Sequence, residues 1–293
     1  MEILTTPDRH FEGLPNYEHE AVITDIGGDL RVHHVESGEG PVVLLMHGQP
    51  TWSFLYRGMF EPLVRHGFRV VAPDLIGFGR SAKPGDMGDH TYERHVSWMS
   101  TWLDAVDLDG VTLFAQDWGG LIGLRLLAAQ PARFTRLAVA NTGLPTGHQR
   151  MPEAFFAWRE FVRTTPDFDC GRIVQGATQR TLSDNEVAAY NAPFPDDAYR
   201  AGPRVMPSLV PTTPDDPSSE PNQEAWAVLS RWERPTLTLF SDSDPITAGG
   251  ERVFQSKVPG AAGQPHTTIE NAGHFLQEDA GPLLADTIAA WMR

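Results

Sequence analysis

The sequence predicts an α/β protein: a mostly parallel, doubly wound sheet interrupted by an inserted helical segment. Three observations carry this reading. Short, wholly apolar runs ending in turn residues alternate with stretches of helical spacing, as expected of strands buried on both faces. The alternation stops near Leu144 and resumes near residue 231. Between them the chain is rich in proline and poor in strand formers, which reads as short helices joined by turns. The expected organisation is a core over 1–144 and 231–293, with a helical cap, or lid, over 145–230.

Taken in order, residues 20–36 ("AVITDIGGDLRVHHVE" at their heart) read as two strands around Gly27-Gly28. "PVVLLMHG" is a continuous apolar run closing on Gly48, a buried strand. "SFLYRGMFEPLVRHG" has helical spacing and stops at Gly67, and "FRVVAPD" is the second buried strand. "TYERHVSWMSTWLDAVDL" is helical, with Val96, Met99, Trp102, Leu103 and Val106 on one face. "VTLFAQ" is a third strand, "GLIGLRLLAAQPARF" a helix and "RLAVANTG" a fourth strand. Within the cap, "FFAWREFVRTT" is helical and "PTTPDDPSSEP" is a surface loop by composition. The pattern then resumes with "RPTLTLFSDSD", a helix around 249–257, "HTTIE" and a terminal helix "PLLADTIAAWMR".

At 293 residues, 41% of them hydrophobic, the chain is long enough for a sizeable core. A net charge of −15 argues against nucleic acid or an anionic membrane surface as a partner. No apolar run approaches the roughly 18 residues of a membrane span. The single cysteine, Cys170, has no motif around it and excludes an internal disulfide. "MEILTTPDRHFEGLPNYEHEA" lacks a basic segment followed by an apolar one, so no secretory signal is expected. A cytoplasmic monomer is the expectation.

Three residues follow strands in an order that carries chemistry. Asp117 lies in "VTLFAQDWGG", at a strand-to-helix turn with small residues after it. Asp244 follows "TLTLFSDS", and His274 sits in "NAGHF" ahead of the terminal helix. Nucleophile, acid and histidine in that chain order form the triad pattern of a strand–turn–helix nucleophile elbow. Asp242 competes with Asp244 for the acid position, and Asp244, which precedes Pro245, is preferred. Asn141 occupies an alternative acid position, but an amide brings no charge to hold an imidazolium. "HGQPTWS" supplies a glycine turn whose Gln49 amide, with that of Trp118, would form an oxyanion hole. A lone histidine such as His66 or His95 is expected at the surface. His90 and His95 in "HTYERH" lack a third metal ligand, and this chemistry needs neither metal nor cofactor.

A carboxylate nucleophile indicates a saturated carbon as target. Serine attack there would leave an ether, which a histidine and water cannot cleave; a carboxylate leaves an alkyl ester, which they can. An epoxide leaves as an alkoxide and wants lid tyrosines, whereas a halide leaves as a weakly basic anion and wants only donors. The indole N–H is donor only. Trp118 adjoins the nucleophile, and "AFFAWREF" offers Trp158 as a second donor with Phe155 as apolar wall. Trp98, Trp102, Trp226, Trp232 and Trp291 fall where packing is expected, and Trp52 is open.

The motifs "HGQPTWS", "PDLIGFGRS", "FAQDWGG", "AWREF", "YNAPFPDDAYRAG", "DSDPI" and "NAGHFLQED" together resemble a haloalkane dehalogenase of the α/β-hydrolase superfamily. The subgroup is the one with an Asp-His-Asp triad and two halide-binding tryptophans. The resemblance implies Asp117 as nucleophile, His274 as base, Asp244 as acid, and Trp118 and Trp158 as halide ligands. It implies an inserted helical cap, a halogenated alkane as substrate, and a primary alcohol, a halide ion and a proton as products. It also places Pro207, with Leu121 and Phe155, in the substrate pocket. Gln49 departs from the glutamate common in the subgroup. The rival readings are an epoxide hydrolase using Tyr190 and Tyr199, and a non-catalytic binding protein of the same fold. A fluoroacetate dehalogenase would want arginines where Trp118 and Gly119 stand.

Overall fold

A computed structural model describes Met1–Arg293. The strands are β1 (Ile3–Leu4), β2 (Ala21–Gly27), β3 (Leu30–Ser37), β4 (Val42–Met46), β5 (Arg69–Pro73), β6 (Lys83–Pro84), β7 (Val111–Gln116), β8 (Phe134–Ala140), β9 (Thr236–Ser241) and β10 (Thr267–Ile269). The helices are α1 (Arg57–Arg65), α2 (Tyr92–Ala105), α3 (Asp117–Ala129), α4 (Glu153–Thr164), α5 (Cys170–Gly176), α6 (Asp184–Asn191), α7 (Ala201–Leu209), α8 (Ser219–Leu229), α9 (Gly250–Lys257) and α10 (Leu276–Met292).

Eight strands form one sheet in the order β10-β9-β8-β7-β4-β5-β3-β2. Pairings from β10 to β5 are parallel, while β3 pairs antiparallel with both β5 and β2. β4, β7 and the second half of β8, from Leu137 on, are buried, which is why apolar residues follow one another there without alternation. Side chains still alternate between faces. Leu44 and Met46 join the layer containing α2 and α3, while Val43 and Leu45 join the layer containing α1 and α10. The sheet order reverses between β4 and β7, since β5 lies on one side of β4 and β7 on the other. A crevice beyond the carboxyl ends of strands opens at such a reversal, and ligands bind there.

Between β8 and β9 the chain forms the five helices α4 to α8. Packing of α4 on α7 and α5 on α6 gives this segment its own contacts, and α8 returns to rest on α3. The loop expected over "PTTPDDPSSEP" ends at Ser218, because Ser219-Glu220-Pro221 opens α8. Proline is tolerated in a first turn, where its missing N–H has no intrahelical partner. The terminal helix starts earlier than its periodicity indicates, at Leu276. It bends at Ala280 (φ −142°), just before Pro282. The two-stranded β1–β6 sheet was not expected; two residues a side carry no periodicity. No helix is long and apolar enough to cross a membrane.

Candidate active site

β7 delivers Gln116 to the sheet's carboxyl edge, and Asp117 turns the chain directly into α3. Asp117 has φ +49°, a left-handed conformation that costs a non-glycine residue about 1–3 kcal/mol. Neighbours hold it there: Asp117 N donates to Asn141 O (3.1 Å), and Thr142 Oγ1 donates to Asp117 O (2.7 Å). The small residues around it are required by space. A Cβ on Gly48 would overlap the Asp117 side chain, and one on Gly120 would overlap Thr142.

Loops from three strands bring the predicted triad together. His274 Nδ1 lies 2.8 Å from Asp244 Oδ2, and His274 Nε2 lies 3.4 Å from Asp117 Oδ2. Gln49 N donates to Asp117 Oδ1 at 2.6 Å. The matching bond from the Trp118 amide is not formed, so the Asp117 carboxylate rests on one of the two expected donors. Asp244 is buried, and Thr247 Oγ1 and Ile246 N also donate to it. Burial alone would raise its carboxyl, but the facing imidazole holds it down at about 2. Burial alone would lower His274, but the Asp244 and Asp117 carboxylates raise it to about 10.

The rejected acid candidates serve as braces. Asp242 accepts from Asn271 N (2.9 Å) and Ala272 N (3.2 Å), fixing the turn before His274. Asn141 Nδ2 reaches Gly273 O and His274 O, each at 3.0 Å, while its Oδ1 accepts from Ser241 N (2.9 Å). Sequence reasoning missed Asp279, although "NAGHFLQED" contains it. Its carboxylate accepts from Gly273 N (2.8 Å) and from Gln179 N (2.9 Å) and Arg180 N (2.8 Å), tying the histidine loop to the inserted segment. Beside it, buried Glu278 accepts from Arg57, Arg180 and Tyr190.

A cavity of about 920 Å³ lies over Asp117, walled by Trp118, Leu121, Phe155, Trp158, Pro207 and Gln49 among others. Of the eight tryptophans, only Trp118, Trp158 and Trp226 line it. Trp226 was expected only to pack. It does pack on Phe254, but it also reaches the wall, on a helix that rests against α3. Its indole N–H is committed to Leu144 O (2.7 Å). Trp52 is buried away from the cavity and donates to Ala189 O (3.1 Å). Trp118 and Trp158 thus hold the cavity's indole N–H groups that have no protein acceptor; Trp158 is steadied by stacking on Phe161 (centroids 5.7 Å).

None of the five tyrosines lines the cavity. Tyr190 is buried with its hydroxyl on Glu278, and Tyr199 packs against the core. Gln49 Nε2 donates to Pro203 O (2.8 Å), so the glutamine links the turn after β4 to α7. His95, expected at the surface, is buried; its Nε2 pairs with His90 Nδ1 at 3.1 Å, since α2 turns that face inward.

Comparison with known proteins agrees with this geometry. The family model for the alpha/beta hydrolase fold matches residues 41–281. A haloalkane dehalogenase of Psychrobacter cryohalolentis is 51% identical over 100% of this chain and 98% of its own length. One from Mycolicibacterium paratuberculosis is 50% identical over 100% and 99%. Among solved structures, the tetrameric haloalkane dehalogenase of Paraglaciecola agarilytica superposes with TM-score 0.92 at 29% identity, over 100% of this chain and 98% of that one. That of Agrobacterium tumefaciens gives TM-score 0.79 at 25% identity, over 93% and 96%. With an elbow carboxylate, a histidine–carboxylate pair and near-full-length matches at about half identity, the chain belongs to the haloalkane dehalogenases of the α/β-hydrolase fold.

Proposed function

We propose that this enzyme hydrolyses haloalkanes through a covalent ester on Asp117, beneath a lid formed by residues 145–230. The observation that carries the reading is the pairing of an apolar-walled carboxylate with two indole N–H groups that lack protein acceptors. Asp117 Oδ1 is held by the Gln49 amide, which leaves Oδ2 to attack the halogen-bearing carbon. The new O–C bond forms as the C–X bond breaks, and the halide departs with the bonding pair onto the Trp118 and Trp158 N–H groups. Leu121, Phe155 and Pro207 line the apolar part of the substrate pocket.

Esterification removes the charge of Asp117, one of the two carboxylates that hold the proton on His274. His274 is thereby freed to act as base. It takes a proton from a water whose oxygen adds to Asp117 Cγ, and the negative charge collects on Oδ1 at the Gln49 N–H. Collapse expels the alcohol, and Asp117 keeps one oxygen from water. The sum is R–X plus water giving alcohol, halide and a proton. Asp244 fixes the imidazole through Nδ1 and balances its charge.

His274→Phe tests the reading. Mixed with a short bromoalkane, it should release one bromide per enzyme and gain the alkyl mass on the Asp117 peptide. Continuous bromide release, or an unmodified peptide, would contradict it. The acidic surface and lone cysteine support a cytoplasmic monomer. Light scattering distinguishes this from a tetramer like that of the Paraglaciecola relative.

A further inference from the structure

We propose that Gln116 is a positioning residue that keeps His274 Nε2 in its proton-accepting form for ester hydrolysis. The proposal rests on the roles given above to Asp117 and His274. Gln116 ends β7 and is completely buried. Its Nε2 lies 3.2 Å from His274 O and 3.2 Å from His274 Nε2, while its Oε1 is buried without a partner. The sense of the amide follows from the carbonyl. Turned over, its oxygen would stand against His274 O, acceptor against acceptor.

His274 Nδ1 is committed as donor to Asp244, so the neutral ring has its lone pair on Nε2. There it accepts from Gln116. On the imidazolium, Nε2–H would face the Gln116 N–H, two donors in opposition. Gln116 therefore favours the neutral ring and opposes both carboxylates. The charged groups facing the ring are Asp244, beyond β9, and Asp117, on the turn into α3. Phe275, just before α10, makes the edge contact (centroids 4.8 Å), while Asp279 and Asn141 reach only the loop's backbone. Glu278 is taken up by Arg57, Arg180 and Tyr190. Gln116 is thus the neutral group that keeps the ring unprotonated, available to the water's proton, and helps it shed that proton before the next cycle.

The test compares wild type with Gln116→Met, which keeps length but has no donor, and Gln116→Glu, which replaces donors by an anion. Each is mixed with 1-bromobutane and quenched, and decay of the alkylated Asp117 peptide is followed by mass from acid to alkaline pH. In Gln116→Met the acid limb of the decay should move up by about 0.5–1 pH unit, with alkylation rate and melting temperature little changed. Gln116→Glu should move it further. A limb at the wild-type pH in either folded variant, with decay slowed equally at every pH, would reduce Gln116 to packing and overturn the proposal. Absence of the adduct from wild type and His274→Phe alike would instead overturn the reading of Asp117 beneath it.

Discussion

His274 Nδ1 meets Asp244 Oδ2 at 2.8 Å, and that bond decides which ring nitrogen faces Asp117. Asp244→Asn keeps the shape but removes the charge and permits the wrong tautomer. Ester hydrolysis should slow by about 10³–10⁴-fold, on the scale of such triad changes. Alkylation needs no base and should persist. A bromide burst followed by near-arrest, with the alkyl adduct accumulating, is the expected trace; equal loss of burst and steady rate would count against it.

Trp158→Phe keeps the apolar wall of the cavity and removes one of the two unpartnered indole donors. A hydrogen bond to a charged partner is worth about 1.5–3 kcal/mol, so bromide should bind about 10–100-fold more weakly. Bromide quenching of the remaining tryptophan fluorescence measures this. Carbon–halogen cleavage should slow as well, while thermal stability changes little because Trp158 is only partly buried.

The free enzyme's stability should carry the signature of its histidine. A folded-state pKa raised to about 10 means His274 contributes fully below its unfolded value of about 6.5. That contribution is lost as pH rises towards 10. Lys83 acts with the opposite sign. Burial pushes its ammonium, seated on Gly79 O and Ser81 O, down to about 7, so its penalty is relieved as pH rises from about 7 towards the unfolded value of about 10.4. The readout is therefore a difference. Between pH 6.5 and 10 wild type should lose stability relative to His274→Phe in urea titrations. Parallel curves would contradict the geometry around the imidazole.

How much of this was legible depended on the range of the physics. An unbroken apolar run marked β4, and mostly apolar runs marked β7 and β8, because strands buried on both faces leave little alternation. Asp117, Asp244 and His274 were legible because each follows a predicted strand or its loop. Trp158 was offered by its place in "AWREF", but the fate of Trp52 was not legible, since it turns on whether an indole N–H finds a carbonyl: Ala189 O lies 137 positions from Trp52 in sequence. The same holds for Arg57 and Glu278, 221 residues apart, which fasten α1 to α10 and, through Glu186, to α6. The bonds of Gln116 to His274 span 158 residues and leave no local trace. Trp226 shows the limit from the other side, as helical spacing indicates a buried face but not that the face borders a cavity.

The central claim is that the alcohol's oxygen comes from the enzyme. Enzyme in excess over bromoalkane, in ¹⁸O-enriched water and quenched after one turnover, tests it most directly. The first alcohol should carry ordinary oxygen, with the heavy isotope found in the peptide bearing Asp117. Heavy alcohol and an unlabelled peptide would mean that water attacks the carbon directly, and the covalent account would be wrong.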